Sequence, residues 1–275
     1  MKKILITGKN SYVGNSFYEY IINNFGDEYQ VDKISLKEQK IEDIDLSGYD
    51  SIFHVAGIAH SDYGNISEDR AKEYYNINTD LTIKFARIAK KKKVKQFVFM
   101  SSIIVYGESA PIGIKKVITK ETVPAPKNAY GDSKLKAEEG IKDLNDENFK
   151  VAIIRAPMIY GKNSKGNYKT LEKLALKLPV FPCIENERSV INIDRLCSFI
   201  KEIIDDKKSG IFFPQDEEYM NTSLMVKRIA NDNGKNVILI RGFGILLKIL
   251  SGFMPVINKA FGNLVYSKDL KHIKI

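Results

Sequence analysis

An apolar run, a glycine turn and a helix-forming stretch follow one another at the start of the chain, in ILITGKNSYVG (residues 4–14). No other segment limits the fold as strongly. Gly8 permits a tight turn after a buried strand, and Gly14 permits close packing of helix on strand. Between them the backbone N–H groups at the helix N-terminus can receive a pyrophosphate. Gly8, Lys9, Asn10, Ser11, Tyr12, Val13 and Gly14 are therefore candidate phosphate-binding residues. The middle glycine of the G-x-x-G-x-x-G pattern is replaced by Ser11, which should crowd the backbone there. An ordinary strand-to-helix turn is the alternative.

The rest of the first 160 residues repeats this rhythm. Residues 3–7, 29–36, 51–56, 96–102 (QFVFMSS) and 151–157 (VAIIRAP) read as buried strands. Residues 12–25, 67–90 and 129–143 read as helices. Apolar strands alternating with amphipathic helices predict an α/β fold: a Rossmann-type, doubly wound parallel sheet covered on both faces. Beyond residue 160 the rhythm breaks, and a smaller lobe is expected. The predicted division is residues 1–160, with 190–213 returning to them, and a small domain from 161–189 and 214–275.

Composition limits the function. The chain has 275 residues, 44% hydrophobic and 28% charged, with a net charge of +9. That charge fits either a lysine-rich solvated surface or attraction of an anionic ligand. No basic stretch interleaved with aromatics points to nucleic acid. Cys183 and Cys197 make no disulfide framework and fit a reducing cytosol. His54, His60 and His272, with no cysteine cluster, give no recognisable metal site. MKKILITG has too short an apolar region for a signal peptide. Arg241 to Val265 is apolar but broken by Lys248, Pro255, Asn258 and Lys259, whereas a spanning helix needs about 20 mostly apolar residues. Two short helices on the small domain are expected, with interfacial membrane contact as the alternative. A cytoplasmic protein without a membrane span is the expectation.

Two Tyr-x-x-x-Lys matches occur, Tyr29 to Lys33 and Tyr130 to Lys134. The first lies in a strand. The second opens a helix, where four residues bring both side chains to one face. An ammonium there favours the phenolate of a tyrosine whose ordinary pKa is about 10. Upstream, MSSIIVYG ends a central strand, where open α/β sheets hold their ligands. Ser102 can hold a substrate oxygen against Tyr130. At the end of the second strand an acidic residue would select NAD, and a basic one would accept the 2′-phosphate of NADP. Ser35 and Lys37 stand there, with Lys9 in the glycine turn. NAD(H) and NADP(H) both remain open, with a lean towards NADP(H).

At these residues the chain resembles the extended short-chain dehydrogenases/reductases of the nucleotide-sugar epimerase/dehydratase type. The resemblance is carried by TGKNSYVG, IFHVAG, SSIIVYG, YGDSK, RAPMIYG and ERSVINIDRL, over about residues 1–215. It implies an NAD(P)-binding domain and a small C-terminal domain for a UDP- or dTDP-sugar. It implies Ser102, Tyr130 and Lys134 as the catalytic set, with Tyr130 the acid/base and Lys134 also at the nicotinamide ribose. It adds Ala56, Gly57, Asn78 and Pro157 to the cofactor residues, and implies Ser102, Ile103, Tyr160, Asn167 and Arg188 at the sugar nucleotide, with Arg188 on the diphosphate. It also allows a homodimer through helices of the dinucleotide domain.

Dehydratases of this family carry an Asp-Glu pair after the Ser/Thr position. Here those positions are Ile103 and Ile104, which cannot do acid/base work. Reduction of a 4-keto sugar and 4-epimerisation remain, as does a non-catalytic NADP-binding protein of the same fold. The lean to NADP(H) favours reduction. Residues 155–189 are similar to those of capsule and O-antigen UDP-4-keto-sugar reductases, which implies a UDP-4-keto-6-deoxy-N-acetylhexosamine substrate.

Overall fold

A computed structural model describes residues 1–38, 40–58 and 66–275, with the side chains of Pro255 and Val256 outside the description. The expectation for His60 therefore lies outside the described residues. In chain order the first part of the chain contains β1 (Lys2–Thr7), α1 (Tyr12–Phe25), β2 (Tyr29–Ile34), β3 (Ser51–His54), α2 (Glu68–Tyr74), α3 (Leu81–Lys91), β4 (Gln96–Ser102), β5 (Val117–Ile118), α4 (Ala129–Lys142) and β6 (Lys150–Ala156). There follow β7 (Met158–Tyr160), α5 (Asn167–Lys177), β8 (Val180–Pro182), β9 (Val190–Asn192), α6 (Ile193–Asp205), β10 (Gly210–Phe212), α7 (Thr222–Asp232), β11 (Ile238–Ile240), α8 (Gly244–Ser251), α9 (Pro255–Phe261), β12 (Val265–Tyr266) and β13 (His272–Ile273).

The large sheet runs β13-β10-β6-β4-β3-β1-β2, parallel except for β13. Its strands are apolar on both faces because both faces are covered. Along β1, Ile4 and Ile6 enter one core and Leu5 the other. Along β4, Val98 and Met100 enter the first, Phe97 and Phe99 the second. The first core lies under α1 and α6, the second under α3 and α4. α3 and α4 approach so closely that a Cβ at Gly140 would stand 2.2 Å from Ile83 Cδ1. The chain leaves β1 for β2 on one side and for β3 on the other. The crevice thus opens at the β1/β3 switch point, at the carboxyl ends of the strands.

A third core joins α5, β8, α7 and α9. The paired strands β7 and β9 link it to the large sheet. The 241–265 segment forms two short helices on this lobe, as its sequence indicated, and no helix of the described residues is long and apolar enough to cross a membrane.

Candidate active site

The glycine turn sits at the switch point. Gly8 has φ +86°, and a Cβ there would lie 2.9 Å from Ala56 N, so the turn touches the chain leaving β3. Gly8 N–H and Lys9 N–H donate to Ile34 O, at 3.0 and 3.1 Å, fixing the turn to the end of β2. Ser11 departs from the expectation of crowding. Its φ is −74°, open to any residue, and its hydroxyl caps α1 by accepting from Gly14 N–H at 2.9 Å. Gly14 N–H is thereby taken, which leaves the Tyr12 and Val13 N–H groups, the first two of the helix, to meet an anion. Gly14 also cannot grow: a Cβ would meet Ser11 Oγ at 2.5 Å and Val55 and Ile6 close behind. These features fit the pyrophosphate of a dinucleotide.

At the end of β2, Ser35 is half-buried and Lys37 exposed. Asp32 does not face this end, because its carboxylate accepts from Tyr49 OH at 2.7 Å. The sequence reading missed Glu38, whose carboxylate lies 3.9 Å from Lys9 Nζ, both well exposed. The other Tyr-x-x-x-Lys match is structural: Lys33 donates to Asn15 Oδ1 at 2.9 Å and sits over the Tyr18 ring.

Ser102 ends β4, and Tyr130 opens α4 behind an Asn128 cap that accepts from Gly131 N–H. Ser102 stands beside the Tyr130 phenol and favours its ionised form. Lys134 follows one turn later, buried, donating to Met100 O at 3.0 Å with its ammonium 4.7 Å from the Phe99 ring centre. The sequence expectation was that Lys134 would draw the Tyr130 phenol down. In this structure burial instead pushes that phenol up to about 12, with Tyr74 adding to the rise and Ser102 opposing it. The Tyr74 ring lies 5.8 Å away. Burial also draws Lys134 down, to about 8, opposed by Glu138. Desolvation outweighs the pairing for both groups.

Asn78 sits in a π turn, Tyr75–Asp80, at whose end Leu81 N–H reaches back to Asn76 O. This local widening puts a fully buried amide between two elements. It accepts from Ile58 N–H at 2.8 Å and donates to Ile58 O and Ser133 Oγ, each at 3.2 Å. A Cβ at Gly57 would stand 2.8 Å from Asn78 Oδ1 and 3.5 Å from Lys134 Nζ, so the chain after β3 passes directly over the site. His54 is wholly buried. Its ring nitrogens meet Thr7 Oγ1 and Thr82 Oγ1, both at 2.9 Å, and Ala56 N–H reaches Thr7 Oγ1 at 3.4 Å.

The remaining candidates line the lobe side. Pro157 is buried after β6. Ile103 begins a one-turn 3-10 helix capped by Ser102 and packs on a fourth core. Tyr160 OH donates to Asp216 at 2.8 Å, and Arg195 stands 3.3 Å from that carboxylate. Asn167 is exposed at the start of α5. Arg188 bridges the lobe through Met220 and Leu264, and its guanidinium donates to Lys259 O on α9. Burial lowers Arg188 to about 10. Its cation, sunk in the lobe, suits an anion in the cleft.

One network went unread in the sequence. Glu138, a further turn along α4, takes three N–H contacts from Arg155, of which the shortest is 2.6 Å. Ser101 Oγ also donates to Glu138, and Arg155 Nη1 reaches Tyr106 OH at 2.5 Å. The spacing 130, 134, 138 was its only sequence signal.

A family model described as the NAD dependent epimerase/dehydratase family matches residues 4–207. The chain belongs to that family, whose members are NAD(P)-dependent nucleotide-sugar enzymes. Among its relatives, a UDP-glucose 4-epimerase of Vibrio cholerae is 29% identical over 83% of this chain and 75% of its own length. An N-acetyl-alpha-D-glucosaminyl-diphospho-ditrans,octacis-undecaprenol 4-epimerase of Escherichia coli O157:H7 is 25% identical over 85% of this chain and 73% of its own. The fold matches a dTDP-4-dehydrorhamnose reductase of Bacillus anthracis solved with NADP, at TM-score 0.70 and 21% identity over 88% of this chain and 85% of that one.

Proposed function

We propose that this chain reduces the C4 keto group of a UDP-4-keto-6-deoxy-N-acetylhexosamine with NADPH, in the synthesis of a surface polysaccharide. The observation that carries this reading is Ser102 at the carboxyl end of β4 beside the Tyr130 phenol, with Lys134 buried one turn along the same helix and only Ile103 and Ile104 where elimination of water needs a carboxylate pair. Ser102 orients the sugar oxygen. Tyr130 delivers a proton to it as the carbonyl becomes an alcohol, which its raised pKa suits, since the phenol is fully protonated at neutral pH. The Lys134 ammonium supports the phenolate left behind. A bound nicotinamide dinucleotide supplies the hydride. Tyr12 and Val13 N–H groups would hold its pyrophosphate, Asn78 the floor of its site, and Lys9, Ser35 and Lys37 its adenosine end. No carboxylate follows directly on β2, which supports NADP(H), although Glu38 stands nearby. Arg188 would meet the diphosphate, with Tyr160 and Asn167 on the sugar side.

The relatives named as 4-epimerases support a second reading, 4-epimerisation, which uses the same proton transfer. One of them acts on a polyprenyl-linked sugar, so a lipid diphosphate can replace UDP in either reading. Incubation with the UDP-4-keto sugar and NADPH, with NADH beside it, separates the reactions. Stoichiometric NADPH loss is the expected result. Interconversion of UDP-N-acetylglucosamine and its C4 epimer, with no net NADPH loss, would assign the epimerase.

A further inference from the structure

The arm from Arg241 to Phe261 presents apolar side chains outward that no described part of the chain covers. In α8, Leu247 and Leu250 pack on the third core and Ser251 is buried. Phe243, Ile245, Leu246 and Ile249 face outward, as do Phe253 and Met254 beyond the helix, with Ile245 78% and Phe253 83% exposed. The platform under them is fixed. Asn258 Nδ2 donates to Ser251 O at 3.1 Å, Thr222 Oγ1 to Ala260 O at 2.7 Å, and Arg188 to Lys259 O.

The charge of the segment itself is one-sided. Of the 275 residues 34 are acidic, yet none lies between Gly234 and Lys268, while Lys235, Arg241, Lys248, Lys259 and Lys268 do. Arg241 and Lys248 are exposed on the arm itself. A second copy of this face would set cation against cation, with no acid in the segment to answer either. An apolar surface of anionic rim satisfies both properties. α8 has 8 residues and α9 has 7, too few to span a bilayer but suited to lying in its interface.

We infer that this arm docks the protein on the surface of a membrane bearing anionic phospholipids, with Phe253 and Ile245 entering the headgroup boundary and Arg241 and Lys248 meeting phosphates. The contact holds the substrate lobe, which the arm joins through Arg188, at the bilayer. It stands apart from the reaction assigned above, because binding is measured with no sugar substrate.

Flotation of the full chain with phosphatidylglycerol/phosphatidylethanolamine vesicles, beside pure phosphatidylcholine vesicles, tests it. The expected result is capture by the anionic vesicles alone, lost as salt rises. Ile245→Ser with Phe253→Ser should reduce capture at least tenfold. Lys248→Gln should weaken it about fivefold, the loss of one cation near the surface. NADPH binding should be unchanged in both variants, showing that they are folded. Three outcomes overturn the inference: no capture at low salt, equal capture by both vesicle types, or capture that neither variant alters. Concentration-dependent dimerisation without capture, abolished by Phe253→Ser, would instead assign the face to a contact between copies.

Discussion

Glu138 Oε2 receives Nε and Nη2 of Arg155, at 3.0 and 2.6 Å, one helical turn beyond Lys134 on the same face of α4. Both side chains are buried, at 3% and 6% exposure. The pair fastens α4 to β6, while Ser101, next to Ser102, fastens it to β4. Glu138→Ala leaves a buried guanidinium without its carboxylate and should cost about 3–5 kcal/mol in urea unfolding. Glu138→Gln, which keeps the shape, should retain more stability. It should still shift the alkaline limb of activity downward, because the Glu138 charge is what raises Lys134. A purely structural role would leave that limb in place.

The Lys134 ammonium titrates near 8, drawn down by burial from its ordinary 10.5. It is charged below that pH and neutral above it. The rate of keto reduction should therefore fall as pH rises through about 8, in a kcat/KM profile. Lys134→Met should remove this limb and lower the rate by about 10²–10⁴-fold. Between about 8 and 10.5 the unfolded chain holds this proton and the folded one does not, so the charge-burial penalty relaxes and this residue's contribution to stability rises with pH.

His54 acts in the same direction, at acid pH. Burial holds it at about 3 against an ordinary 6.5, with Lys134 adding to the depression. Below 6.5 the unfolded chain takes a proton that the folded chain refuses, so stability falls by up to about 1.4 kcal/mol per pH unit as pH drops towards 3. Denaturant titrations across that range should show this slope. His54→Gln should flatten it.

Asn78 ties the chain after β3 to α4 by three hydrogen bonds. Asn78→Ala removes the partner of the half-buried Ile58 N–H and C=O and should cost about 1 kcal/mol. It should lower NADPH affinity in a fluorescence titration, since Gly57 rests on that side chain.

The strands, helices and crevice were legible because apolar alternation on a two-faced sheet leaves little freedom: β4 and α1 fall where their patterns place them. Ser102, Tyr130 and Lys134 were legible as a motif. Their proton affinities were not, because desolvation depends on what closes over α4, and Tyr74 and Gly57 come from other elements. Ser11 was read as crowding because a missing glycine is visible in sequence, whereas a capping hydroxyl is a matter of geometry. The Glu138–Arg155 pair and the Tyr160–Asp216 contact join residues of different elements, and beyond the helical spacing of Glu138 from Lys134 local pattern carries no trace of them.

In the proposed reaction Tyr130 transfers the proton at C4. Single-turnover reduction of the UDP-4-keto-6-deoxy-N-acetylhexosamine by NADPH, followed by NADPH absorbance for the parent protein and Tyr130→Phe, tests it most directly. NADPH should bind both proteins alike, and the rate should drop by about 10²–10⁴-fold in the variant. A variant that turns over at the parent rate would contradict the assignment.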